Sequence, residues 1–235
     1  MADEYDFSRF EGAAVPFTAY DFFAYLASGA LVVATVDVLH GRQWLFTKEH
    51  PIALDVFLVL AAYVVGHIVA QLSSTILEAG LVARGLLRPS HVLMGHTRPG
   101  FKHIFRLYCR PLAQETRERV IQRARNRGFS GVGEALFLHT WSVMKQDAPT
   151  MHRLDQFRNL YGFARNIALS LFVVALLIWV GPFDSRAGIP TGWAWCALAL
   201  GLVMLFRYLK FFRQYSYEVL VSYAELVPKP EGGAT

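Results

Sequence analysis

Four apolar segments dominate the pattern of hydrophobic and polar positions along the chain. They cover residues 22–39, 52–77, 167–181 and 193–206. The first two hold one carboxylate each, Asp37 and Asp55, and the last two hold no charged residue. Because a membrane-spanning helix needs about 20 mainly apolar residues, the pattern predicts four spans, at about 20–40, 52–77, 164–182 and 192–208.

The polar stretches around these segments also have helical patterns. Pro111 precedes a basic helix at 112–127, and an amphipathic helix follows at 134–146. Asp147 is placed to cap a further helix with Pro149 in its first turn. That helix meets no strong breaker before Gly181, which predicts a rod of about 33 residues. The second span is expected to run on to Gly85, the fourth to Glu225, and residues 88–100 to form a Gly/Pro-rich loop. A short helix is expected from Phe101.

The sequence therefore predicts an all-α integral membrane protein in four parts. An N-terminal segment with a hairpin of two spans covers residues 1–82, and a basic helical cytoplasmic region covers 83–160. A second hairpin covers 161–212, and a cytoplasmic helical tail covers 213–235.

Composition excludes two other classes of protein. With 54% hydrophobic and 17% charged residues, the chain is more apolar than an average soluble domain and is not disordered. Two cysteines are too few for a disulfide scaffold. The net charge of +5 suits either a nucleic-acid partner or the bilayer.

The distribution of charge favours the bilayer. Residues 79–160 hold 14 Lys or Arg and five Asp or Glu, a formal charge of +9. Basic residues collect on the cytoplasmic side, so this region and both termini are expected there, with the loops 41–51 and 182–191 outside. The first span follows an acidic flank, so it is not expected to be a cleaved signal.

Polar side chains inside the second span are the first candidate site. At 100° per residue they fall within about 80° of one another on the helical wheel; they are Tyr63, His67, Gln71, Ser74 and Glu78. Interhelical hydrogen bonding is the simplest explanation, and a water-lined path or proton-sensitive gate is the alternative. One His and one Glu are too few ligands for a zinc site, so neither a metal nor a cofactor is predicted.

A second polar cluster lies where the third span begins, at the cytoplasmic rim. It consists of Arg158, Asn159, Tyr161, Arg165, Asn166 and Ser170. We expect Glu78 to pair with Arg165 or Arg158; contact of these arginines with lipid phosphates is the alternative.

Two further features concern the outer ends and faces of the spans. Asp37 and Asp55 would form an acidic ring in a symmetric oligomer or would simply be exposed at the outer interface. Ala24 with Ser28, and Ala30 with Ala34, are small residues four apart. Such pairs let helices approach closely, within one subunit or between subunits.

The basic region has no motif for catalysis or nucleotide binding. Its helix at 112–127 lacks interleaved aromatic residues for base stacking, which favours contact with a lipid surface, or a role in solubility alone, over nucleic-acid binding. No catalytic residue is predicted, and an enzyme is less favoured than a non-enzymatic protein.

Three phrases resemble recurring features of small, uncharacterised bacterial multi-pass proteins. They are YDFFAYLASG at 20–29, YVVGHIVAQLSS at 63–74 and LYGFARNIALS at 160–170. The resemblance implies a location in the bacterial inner membrane.

Three functional hypotheses follow. The first is a non-enzymatic homo-oligomeric module whose cytoplasmic helices sense or recruit a partner and gate a conducting or membrane-perturbing path, as in a defence-type effector. The second is a membrane anchor or scaffold for a soluble partner, and the third is an intramembrane enzyme using His67 and Glu78.

Overall fold

The computed structural model describes residues 19–41, 44, 51–98, 100, 103–180 and 190–226. Within these ranges the chain is helical and has no strand, which confirms the all-α class. The predictions that concern the acidic N-terminal residues 3–11, most of the two short loops, and the chain after 226 lie outside the described residues. The α-helices are α1 (Ala19–Leu39), α2 (Ile52–Ser73), α3 (Pro89–Leu93), α4 (Gln114–Asn126), α5 (Glu134–Met144), α6 (Ala148–Val180) and α7 (Gly192–Glu225).

Three continuous helical stretches are long and apolar enough to cross a membrane. They are Ile52–Leu93 with 42 residues, α6 with 33 and α7 with 34. The apolar part of α1, Ala24–Leu39, is shorter, and α1 packs against α2 and α6. Large apolar side chains stay exposed along these helices, as lipid-facing residues do; they include Val56, Phe57, Leu60, Val64, Ile68, Leu176, Leu202 and Val203.

The second span changes its helix type part of the way along. From Ser74 to Leu86 the chain forms a π-helix of 13 residues that continues directly from α2. The expected continuation to Gly85 is therefore present, but not as an α-helix. The π-helix ends at Leu86, and the next residue, Leu87, has a φ of 71°, which is unusual for a residue with a side chain.

The region between the π-helix and α6 differs from the prediction in two places. Residues 88–100 were predicted to be a loop, but α3 begins at Pro89, because a proline at the first helical position loses no hydrogen bond. The short helix expected from Phe101 is not seen among the described residues there, since residues 103–109 form turns. The predicted starts and ends of α4, α5 and α6 agree with the structure to within a few residues.

Helix α7 contributes to two larger hydrophobic cores, besides a smaller cluster with α6 at its start. Leu205 and Leu209 pack in one core with residues of α2, the π-helix and α6. Farther along α7, Leu220 and Tyr223 pack in a second core with α3, α4 and α5. One uninterrupted helix therefore joins the apolar bundle to the basic helical region.

Candidate functional site

The predicted polar stripe of the second span divides into two groups with different neighbours. In the first, the His67 ring stacks on Tyr25 of α1, with 4.2 Å between ring centroids. Tyr63 meets the same imidazole edge-on at 4.6 Å and packs against Phe22 at 5.2 Å. His67 is therefore enclosed by aromatic rings at the interface of α1 and α2.

The middle of the stripe has no comparable role. Gln71 is exposed, and Ser74 is half-buried where the π-helix begins. The hydroxyl that faces the neighbouring helix is that of Ser73, which does not belong to the predicted stripe. A signal for it was present in the sequence, because Ser73 continues the buried series Leu58, Ala62, Gly66 and Val69.

The second group joins the π-helix to α6. The Arg165 guanidinium forms an ion pair with the Glu78 carboxylate, and its Nε donates a hydrogen bond to Ser73 Oγ at 3.1 Å. Ser73 Oγ in turn donates to Asn166 Oδ1 at 2.7 Å. We call Ser73, Glu78, Arg165 and Asn166 the polar junction.

The pairing resolves the two alternatives that the sequence left for Glu78. Arg165 is the partner, and its side chain is only 14% exposed. Arg158 instead pairs with Asp155 on its own helix, at 3.2 Å, and is 61% exposed. Glu78 itself is 35% exposed, so water reaches one side of the pair and weakens its Coulomb energy.

The remaining residues of the second cluster lie around the polar junction. Tyr161 packs against Phe212 and Tyr215 of α7, with ring centroids 5.0 and 5.9 Å apart. Tyr215 OH accepts a hydrogen bond from Trp141 Nε1 of α5 at 2.8 Å. Asn159 is half-buried, and the buried Ser170 donates to the Ser28 carbonyl of α1 at 2.9 Å. Together these contacts link α1, α5, α6 and α7.

The two residues of the enzyme hypothesis, His67 and Glu78, lie in different surroundings. His67 lies in α2 and Glu78 in the π-helix, 11 positions apart in the sequence, and they have different partners. No group of three or more His, Cys, Asp or Glu side chains comes together within the described ranges. The polar junction instead has the chemistry of a clamp, in which charge and hydrogen bonds hold a π-helix against its neighbour.

The outer acids differ from each other. Asp37 is 8% exposed and accepts a hydrogen bond from the Trp44 N–H at 3.1 Å, so it stabilises the end of α1 locally. One alternative expected Asp37 to be exposed, and the structure buries it instead. Asp55 is exposed in the first turn of α2.

The two pairs of small residues on α1 face different ways. Ala24 and Ser28 are buried inside the subunit. Ala30 and Ala34 line an outward groove that Ile178 and Trp193 also border. The same groove shows that the end of α1, the end of α6 and the start of α7 lie together.

Comparison with protein-family models, with curated proteins and with solved structures finds no match for this chain.

Proposed function

We propose that the chain is a four-span protein of the bacterial inner membrane, with residues 83–160 and both termini in the cytoplasm. Three stretches of sufficient length and apolarity support this proposal, together with the packing of α1 against two of them. The charge of +9 on residues 79–160 supports the orientation.

Cysteine labelling in cells tests this topology. In a Cys109→Ala, Cys196→Ser background, a membrane-impermeant maleimide should label Gly41→Cys in intact cells. It should label Gly128→Cys only after permeabilisation. Labelling of Gly128→Cys in intact cells would overturn the orientation.

We further propose that the protein is a non-enzymatic oligomeric module that transmits partner binding from its cytoplasmic helices to a gated path between its spans. The observation that carries this proposal is the course of α7, which packs in both hydrophobic cores without a break. The polar junction fixes a π-helix beside this connection, and π-helical segments are frequent at functional sites.

The outward groove on α1 supports association between copies. Ala30 and Ala34 have no long side chains, so another helix can approach closely there. Disulfide cross-linking of Ala30→Cys or Ala34→Cys in membranes should give a dimer. Val64→Cys, on the exposed face of α2, serves as the matched control and should not cross-link.

Ion flux from proteoliposomes tests the functional proposal directly. Proteoliposomes that contain the full chain should release a trapped ion faster than protein-free liposomes do. Glu78→Gln should change that rate of release, whereas Arg158→Gln should not. Absence of flux together with a co-purifying soluble protein in fixed stoichiometry would favour the anchor or scaffold instead.

A further inference from the structure

A turn near the polar junction is held firmly although it has no helix of its own. We call residues 103–110 the rim turn. Tyr108 OH donates to the Leu87 carbonyl at 2.8 Å, and the Cys109 N–H donates to the Phe105 carbonyl at 2.9 Å. Both Tyr108 and Cys109 are buried in the first hydrophobic core, so their packing holds the backbone of the rim turn in place.

The rim turn holds two large apolar side chains away from the protein. Ile104 is 67% exposed and Leu107 is 83% exposed. Arg106 and Arg110 are exposed on the same turn. Burial of apolar side chains stabilises a folded protein, so a fixed turn that exposes both residues to water would forgo that stabilisation.

The rim turn lies next to the lipid-facing surface of α7. The Phe105 ring contacts Phe206 of α7, with 5.5 Å between centroids. Phe206 is itself half exposed, next to the exposed Leu202 and Val203. The apolar side chains of the rim turn therefore extend the lipid-facing surface of α7.

An arginine near the rim turn lies a bilayer's thickness along α7 from the start of the apolar part of that helix. Trp193 begins the apolar part of α7, and Arg213 follows 20 residues later, about 30 Å along the helix axis. This is the thickness of a bilayer's hydrocarbon core. Tryptophan at one end and arginine at the other match the residues that favour membrane interfaces.

Arg213 also contacts the backbone of Arg110 in the rim turn. Arg213 Nη2 donates to the Arg110 carbonyl at 2.8 Å, and the guanidinium lies over the Tyr217 ring at 5.8 Å. The buried Nε of Arg213 has no hydrogen-bond partner in the described part of the chain. Neither arginine is in an ion pair there, so both are able to bind a phosphate.

We propose that the rim turn is an interfacial lipid anchor: Ile104 and Leu107 insert into the cytoplasmic leaflet, and Arg110 with Arg213 bind the phosphate of an anionic phospholipid. The anchor is separate from any gating function. It rests only on the helices crossing the membrane in the proposed orientation.

Depth-dependent quenching tests the insertion. The full chain, in the Cys109→Ala, Cys196→Ser background, is labelled with an environment-sensitive fluorophore at Ile104→Cys or Leu107→Cys and reconstituted with brominated phospholipid. Both labels should be quenched strongly. A label at Leu138→Cys, which is equally apolar and 56% exposed on α5, should not be quenched, and a label at Leu60→Cys on α2 should be.

The lipid preference is tested with the same label at Leu107→Cys. Brominated phosphatidylglycerol should quench it more than brominated phosphatidylcholine at equal mole fraction. Arg110→Gln with Arg213→Gln should abolish that difference, whereas Arg125→Gln on α4 should preserve it. Inorganic phosphate in excess should leave it unchanged, because the anchor needs the acyl chains as well.

Four results would overturn the proposal. Equal quenching by the two lipids would contradict the proposed phosphate site. Quenching at Leu60→Cys without quenching at either position of the rim turn would contradict the proposed insertion. A blue-shifted label that brominated lipid does not quench would show that protein covers the turn. Absence of quenching at Leu60→Cys would overturn the membrane assignment and the anchor together.

Discussion

At the crossing of α1 and α2, two glycines leave no room for a side chain. A Cβ at Gly66 would lie 1.9 Å from the Tyr25 carbonyl oxygen, and one at Gly29 would lie 1.7 Å from the Ala62 carbonyl oxygen. The obstructing atoms are backbone, so the helices would have to separate. Gly66→Ala should therefore lower the free energy of unfolding by about 1–3 kcal/mol, measured by thermal unfolding in detergent.

A matched glycine provides the control for this substitution. A Cβ at Gly162 of α6 would meet nothing within 4 Å. Gly162→Ala should stabilise the protein by about 0.5–1 kcal/mol through helix propensity. Equal effects of the two substitutions would contradict the close crossing of α1 and α2.

The ion pair of the polar junction should be energetically coupled more strongly than a surface pair. Arg165 is largely buried and Glu78 about one-third exposed, so a double-mutant cycle of Glu78→Gln and Arg165→Gln should give about 1–3 kcal/mol. The Arg153–Glu218 pair is the control, since Arg153 is 57% exposed. Its coupling should stay below about 1 kcal/mol. Equal coupling in both cycles would mean that the polar junction has no clamping role.

The element with the least usual geometry is the π-helix that follows α2. Buried positions recur at intervals of four, four, three and four in α2, but at five and four from Leu77 through Val82 to Leu86. Single cysteines placed along Ser74–Leu86 should therefore show a longer period of maleimide accessibility than cysteines along α2. The same period in both stretches would mean that the α-helix simply continues.

The start of α6 should respond to acid. Asp147 accepts a hydrogen bond from the Thr150 N–H at 3.1 Å, and bonding to Thr150 lowers the pKa of the carboxyl. Because the folded pKa lies below the unfolded one, the stabilisation is present at neutral pH. It is lost as the pH falls through the folded pKa.

Asp147→Asn tests this titration, because asparagine also caps helices but carries no ionisable group. The melting temperature of the wild type should fall more steeply with decreasing pH below about pH 4 than that of Asp147→Asn. Parallel curves would show that the cap does not titrate.

Some elements could be predicted from the sequence because their causes are local. The bounds of α6 follow from a capping aspartate, a proline in the first turn and the absence of a breaker up to Val180. The π-helix has no such local cause, because its register depends on how Leu77, Val82 and Leu86 fill the space against other helices. The partner of Glu78 could be narrowed to two arginines by charge. The role of Ser73 could not be predicted in this way, because it depends on a hydrogen bond to Asn166, which lies 93 positions away in the sequence.

At the scale of the whole molecule, the central structural fact is that α7 supports two cores. Tyr223 is fully buried in the second core, where its carbonyl accepts a hydrogen bond from Arg123 Nη1 of α4 at 2.7 Å. Its ring meets His139 of α5 edge-on at 6.0 Å. The second core therefore depends on this end of α7, whereas the first core does not contact it.

Tyr223→Ala should consequently separate the two halves. Removing a large buried aromatic side chain costs about 3–5 kcal/mol, so hydrogen–deuterium exchange should increase in α4 and α5 while the apolar half of α7 stays protected. Val203→Ala, at a position 61% exposed on the apolar face, should change neither half. Equal deprotection of both halves in Tyr223→Ala would show that they unfold as one cooperative unit. In that case the two cores would not be separate in stability, and the dependence of the second core alone on this end of α7 would be contradicted.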